Sequence, residues 1–275
     1  MNETSEPNGI GALTFTPFFS ANIILAVLFA ILLSVHMALT VRYWRYYGYA
    51  FGMLSGLLLE LLGCIAKVQL SHNRADRSSY IMYIIGLTLG PTFLSSSLYL
   101  SISTLQRQHE AFKLKSTSPR TFSILFILGD FMCLCFIGVG GSLAAIYASN
   151  PIGVDLMIAG LASQVVWTMI FCILLAVIYF KARHMTVGNM NYFILGTTVA
   201  AACLFIRSCW RVAELSGGFN GPLASKEGVF VALDSVPIIL MSAMLTMLHP
   251  ELWFSGDSAQ VVKAEHDLRP FTEDQ

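Results

Sequence analysis

Seven long apolar stretches, each sufficient to cross a bilayer, constrain this chain more than anything else in it. A helix spanning roughly 30 Å of hydrocarbon needs about 20 apolar residues. Residues 17–41, 47–70, 80–105, 121–147, 153–180, 190–213 and 228–249 meet that requirement. Lipid offers no partner to a bare backbone N–H or C=O, so each stretch must satisfy its own groups as a helix. The expectation is an all-α, polytopic integral membrane protein with a seven-helix transmembrane domain over 17–250. Composition agrees: 56% of residues are hydrophobic and 12% charged, against about 25% charged in a soluble domain. Residues 1–16 read as a polar extracellular leader with no basic n-region. Residues 251–275 read as a flexible cytosolic tail, with Pro250 ending the last helix.

Orientation follows from Lys and Arg. Ten fall on one side of the bundle, between spans or in the tail, and six on the other. Three of those six (Lys67, Arg207 and Arg211) lie within or at the end of a helix, which sharpens the asymmetry. The N-terminus is expected outside and the C-terminus in the cytosol, and the sequon Asn2-Glu3-Thr4 agrees. A formal net charge of zero gives no pull towards nucleic acid. No Gly-rich phosphate loop ending in Lys-Ser/Thr is present, which excludes ATP hydrolysis by that route. The six cysteines (Cys64, Cys133, Cys135, Cys172, Cys203, Cys209) fall inside hydrophobic segments without C-x-x-C spacing and read as buried apolar fillers. No cofactor or metal site is expected. Only His36 lies well inside a span, so no haem-type histidine pair across facing helices is anticipated, and His249 reads as a helix-end anchor.

Charge inside the spans is where function is sought. Glu60, Lys67, Asp130, Arg207, Arg211, Glu214, Glu227 and Asp234 lie in or at the ends of them. Each costs about 2.5–3.5 kcal/mol at a helix centre facing lipid, so together they must pair, reach water or sit near an interface. Glu60 and Lys67 are seven residues apart, one face of span 2 and about 10.5 Å along the axis. Arg207, Arg211 and Glu214 form an i, i+4, i+7 stripe on span 6, and Glu227 and Asp234 an i, i+7 stripe on span 7. With the N-terminus outside, all seven converge on the outer half, and a hydrated cavity between spans 2, 6 and 7 is expected. Asp130 sits deeper, with no evident cation on its own helix, and is the candidate to bind a proton or an ammonium. Gly48, Gly52 and Gly56 at spacing four predict a close helix–helix face. Pro91 in mid-span 3 frees a backbone carbonyl. Gln164 and Tyr99 are polar groups suited to line a cavity or to bond between helices.

At these positions the chain resembles the fungal RTA-like family, also described as lipid-translocating exporters. Span 2 reads Glu60-Leu-Leu-Gly63-Cys64-Ile-Ala-Lys67, where the family has Gly-Tyr and then Arg. Span 3 carries Gly90-Pro91 and Tyr99, with Thr104 where the family has Arg. Gly129-Asp130, Gly140-Gly141 and Gly160-Leu-Ala-Ser-Gln164 follow, with Ile137 at a Gln position. The densest match is Arg207-x-x-x-Arg211-x-x-Glu214, then Gly218, Glu227, Asp234 and His249-Pro250, with Val231 at a Tyr position. The resemblance implies a fold like that of seven-helix receptors and movement of, or resistance to, lipid-like amphiphiles such as sphingoid bases, sterol derivatives, phospholipids or porphyrins.

Translocation of such amphiphiles at the plasma membrane is therefore the leading expectation. Its residues for substrate or proton are Glu60, Lys67, Asp130, Gln164, Arg207, Arg211, Glu214, Glu227 and Asp234. The expected partners are membrane lipids or amphiphilic small molecules, with a homo-oligomer compatible. No catalytic residue is expected. A seven-helix receptor or membrane-stress sensor is the first alternative, though Leu105-Gln106-Arg107 lacks an acidic–Arg pair and Asp234-Ser-Val-Pro237 has no following Tyr. The absence of Lys from span 7 excludes a retinal Schiff base there. An intramembrane hydrolase using Asp130 and Asp234 is the second alternative.

Overall fold

The computed structural model describes residues 18–43, 46–73, 76–108, 118–146, 152–182, 190–216, 227–250 and 252–253. The proposed leader and most of the tail lie outside them. Seven helices are long and apolar enough to cross a membrane, and the chain is an all-helical integral membrane protein. They are α1 (Phe19–Arg42), α2 (Tyr47–His72), α3 (Arg77–Gln108), α4 (Pro119–Ile146), α5 (Ile152–Ala182), α6 (Met190–Ser216) and α7. The last runs as Glu227–Phe230, a π-helical turn Val231–Ser235, and Val236–Met247.

Burial is inverted relative to a water-soluble bundle. Large apolar side chains such as Ile24, Val41, Phe51, Leu128, Phe180 and Leu240 cover the outside. Polar side chains, including His36, Glu60, Lys67, Asp130, Arg207, Asp234 and His249, are buried. Lipid makes the first arrangement neutral, while the second is tolerable only with partners inside the bundle. The cysteines divide accordingly: Cys64, Cys133 and Cys203 are buried, Cys172 is intermediate, and Cys135 and Cys209 face outwards. An apolar thiol suits lipid as well as core, so the expectation of six buried fillers holds only in part.

Neighbours in sequence pack as neighbours in space, and α3 also touches α4, α6 and α7. That central position brings α3 against every helix carrying a buried ion. Its tightest contact is with α2, where the small-residue face lies. A Cβ on Gly56 would fall 2.9 Å from the Gly90 carbonyl, and one on Gly86 would fall 2.6 Å from the Leu59 carbonyl. Backbone meets backbone there, the arrangement small residues permit in lipid. Gly48 contributes least, its nearest neighbour being Leu100 at 3.5 Å.

Candidate functional site

The site starts from a missing hydrogen. Pro91 has no N–H, so the Leu87 carbonyl four residues back loses its usual intrahelical donor. Arg207 on α6 occupies that place, donating from Nη2 to the Leu87 oxygen. Its Nε lies 3.2 Å from Asp234 Oδ1. A planar guanidinium with five donors can serve a carbonyl and a carboxylate at once, which an ammonium does less well. Asp234 reaches it because of the local backbone. The π turn, closed by the Val236 N–H on the Val231 carbonyl, inserts extra rotation and turns Asp234 and Ser235 inwards. Pro237, next in the chain, cannot supply a regular helical bond to the residue four back, so the irregularity falls where the ladder is already broken.

Glu60 faces the same cluster from α2. It is 2% exposed and packs on Gly90 of α3, where a Cβ would lie 2.9 Å from its Oε1. Arg207, Asp234 and Arg211 are within its electrostatic reach. Its Oε1 is buried and accepts no hydrogen bond from the described residues. One helical turn beyond Arg207, Arg211 pairs with Glu214 at 2.8 Å, their side chains 19% and 13% exposed. Lys67 lies with its Nζ 3.5 Å from the Phe230 ring centre and 5.5 Å from that of Tyr83.

Three carboxylates and three cations (Glu60, Glu214, Asp234; Lys67, Arg207, Arg211) thus gather between α2, α3, α6 and α7, and the group is formally neutral. The expected convergence of charge is present, but the open hydrated cavity is not what these side chains form. Glu60, Lys67, Arg207 and Asp234 are only 1–5% exposed. The ions neutralise one another, and α3 closes the side that sequence spacing leaves open. Tyr83, Leu87 and Gly90 are its contributions, and none carries a charge that would have marked it. The Leu87 position had a signal, since Pro91 points to it, and Gly90 was marked as part of the Gly90-Pro91 pair.

Asp130 stands apart. Ser95 and Tyr99 hydroxyls donate to its Oδ2 at 2.6 and 2.9 Å, while Oδ1 is buried without a hydrogen-bond partner among the described residues. No cation among the described residues pairs with it, and the rings of Tyr99, Phe126 and Phe171 pack edge-on and tilted against one another beside it. Gln164 on α5 is half-buried, and its side-chain amide makes no hydrogen bond among the described residues. Neither joins the charge cluster. Glu227 opens α7, but its side chain lies outside the described residues, as does Gly218. At the opposite end of the bundle the His36 and His249 rings, both buried, approach to 5.8 Å with Tyr49 beside them. Reading His249 only as an end anchor missed this, because the contact joins the first span to the last. Burial holds His249, just beyond its span, below the ordinary histidine pKa.

The family model described as "RTA1 like protein" matches residues 53–257, a range containing every ion of the cluster. The chain is 27% identical to "Sphingoid long-chain base transporter RSB1" of Saccharomyces cerevisiae (strain YJM789), over 93% of this chain and 78% of that protein. It is 26% identical to "Protein RTM1" of Saccharomyces cerevisiae over 67% of this chain and 62% of that protein. Identity to "Protein RTA1" of Saccharomyces cerevisiae (strain ATCC 204508 / S288c) is 23%, over 95% and 92% of the two. No solved structure matches.

Proposed function

The chain belongs to the RTA1-like family, and from that premise we propose that it moves cationic, lipid-like amphiphiles across the membrane. The relative named a sphingoid long-chain base transporter suggests the class: a long alkyl chain with an amine at its head. The observation that carries the reading is Glu60, a buried carboxylate with an oxygen that no donor among the described residues reaches. It lies beside the Arg207–Asp234 salt bridge. A buried anion lacking a donor is costly, and an incoming ammonium supplies the donor. Arg207–Asp234 and Arg211–Glu214 then act as positioning pairs, the second marking the more accessible end. Asp130, remote from the cluster, is a second candidate group for a proton or ammonium. Gln164 and Glu227 are secondary candidates on α5 and α7.

The reaction class is translocation without covalent chemistry. Plasma-membrane residence is part of the same proposal, as is an N-terminus outside, an orientation supported by the Lys/Arg asymmetry. The test is movement of a fluorescent long-chain base in cells lacking or overproducing the protein, and in proteoliposomes. Glu60→Gln and Asp234→Asn should each reduce movement at least tenfold while the protein still reaches the membrane. Wild-type rates equal to those of empty vesicles would sink the reading.

A further inference from the structure

The first helix leans mainly on α2 and meets α7 only sparsely, and between α1 and α7 the bundle carries a groove of about 340 Å³. Ala21, Ile24 and Leu28 form one wall, and Val231, Val236 and Leu240 the other. Ile24, Leu28, Val236 and Leu240 are exposed, so the groove opens sideways to lipid. Its α7 wall owes its shape to the π turn. Residues five apart point roughly 140° from each other at 3.6 residues per turn. Closing the Val236 N–H on the Val231 carbonyl brings these two valines nearly into line, and both border the groove. The same turn directs Asp234 and Ser235 inwards, where Asp234 meets Arg207 at 3.2 Å. One backbone irregularity thus builds an apolar wall on its lipid side and places an ion on its inner side. Val231 packs against two buried clusters, one that includes Leu25 of α1 and one that includes Tyr83, Trp210 and Phe230. It is the wall shared by the groove and the surroundings of the ions.

Resting on the translocation reading above, we propose that this groove holds the alkyl chain of a single-chain amphiphile while its amine engages Glu60, the ligand entering sideways from the bilayer. Three features select that occupant. The walls are apolar throughout, which suits a hydrocarbon chain and offers a polar ligand nothing. The volume is at the small end of ligand sites, which are roughly 300–1,000 Å³, and suits one chain better than two. The depth matches the ions, because the α7 wall from Val231 to Leu240 brackets Asp234. Lipid tails are as apolar as these side chains, so the groove adds little affinity of its own. What it supplies is register. A charged head that crosses among carboxylates inside the bundle must leave its tail in an apolar place. A groove open to lipid at the level of the ions lets head and tail move together. The choline head of a bilayer phospholipid has no N–H to give Glu60, so an ordinary two-chain lipid lacks the partner that would hold it there.

The test uses the full chain in phosphatidylcholine nanodiscs, with a long-chain amino diol bearing a diazirine in its alkyl chain as probe. A phosphatidylcholine with the same diazirine in one acyl chain is the control. After illumination, mass spectrometry should find base adducts several-fold denser on residues 21–28 and 231–240 than on Leu128 and Val139, exposed residues of α4. Excess unlabelled base should remove them, and the control lipid should label both faces alike. Ala21→Trp and Leu240→Trp fill the groove from positions outside the ion cluster. Each should lower groove adducts, and base movement in proteoliposomes, at least about fivefold, the lower end of an overpacked contact. Val139→Trp should change neither. Base adducts spread evenly over α1, α4 and α7 overturn the proposal, as does equal enrichment of the control lipid in the groove. Adducts that disappear only when a disc holds two copies make a second copy the occupant and overturn it as well. Wild-type movement by folded Ala21→Trp and Leu240→Trp proteins has the same force; if neither folds, the adduct pattern of the wild type decides. Base movement with evenly spread adducts removes the groove and leaves the translocation reading standing, whereas no movement of the base by the wild type removes both.

Discussion

Replacing Arg207 by Met should expose how much of this bundle hangs on one guanidinium. The change strands the Asp234 carboxylate, whose partner lies at 3.2 Å, and leaves the Leu87 carbonyl without its donor from α6. Breaking a buried pair by removing one member costs about 3–5 kcal/mol. The carbonyl adds roughly 1–2 kcal/mol, between the average for membrane interhelical bonds and the value for a charged donor. The two contributions can be separated because the second has its own remedy. Pro91→Ala restores an N–H at position 91, four residues after Leu87, so the helix can satisfy that carbonyl itself. In the Arg207→Met background it should recover about 1–2 kcal/mol, while in the wild type it recovers little. Asp234→Asn in the Arg207→Met background should recover most of the charge penalty, independently of position 91. Unfolding in mixed micelles, followed by far-UV circular dichroism, supplies all the corners of the cycle. A coupling between positions 91 and 207 within about 0.5 kcal/mol of zero would refute the claim that Arg207 stands in for the donor that proline removes.

Gly86→Ala should destabilise by about 1–3 kcal/mol as an overpacked contact, because the added methyl meets the Leu59 carbonyl at 2.6 Å. Gly138→Ala, with nothing within 4 Å, should be neutral or stabilise by up to about 1 kcal/mol through helix propensity; the same micellar unfolding assay compares them. Tyr99→Phe should cost about 1 kcal/mol by removing a donor to Asp130, and should cost nothing measurable once Asp130 is Leu. His249 is held below the ordinary value of 6.5 by burial, so the unfolded chain takes up a proton that the folded protein resists. Thermal stability should therefore be level above about pH 6.5 and fall below it. His249→Gln should flatten that decline, and an unchanged slope would show that another group carries it.

The spans were readable to within a few residues because a bilayer demands length and apolarity together, and both are local properties of sequence. Convergence of Glu60, Lys67, Arg207, Arg211, Glu214 and Asp234 was readable for a related reason: ions in lipid must find partners, and helical spacing puts each stripe on one face. What could not be read was who stands opposite whom. Tyr83, Phe230 and Trp210 look like ordinary core aromatics until Lys67 is seen among them. Ser95 and Tyr99 come to Asp130 from another helix, and no spacing on α4 announces them. His36 and His249 are 213 positions apart, so their meeting depends on ring closure of the bundle between α1 and α7. The cavity was misjudged for the same reason, since spacing locates charges on a face but not the uncharged helix that covers it.

Pro91 and the π turn before Pro237 have a mechanical consequence. Both interrupt the regular backbone ladder, one in the central helix and one in its neighbour α7, and Arg207 ties the two interruptions together. A regular helix resists bending because every turn must stretch its own hydrogen bonds, but these two have already given up bonds at that level. The bundle therefore has a compliant seam running crosswise through α3 and α7, latched by a single side chain. Segments on either side of it can tilt against each other at the cost of Arg207's contacts, leaving the remaining helical hydrogen bonds intact.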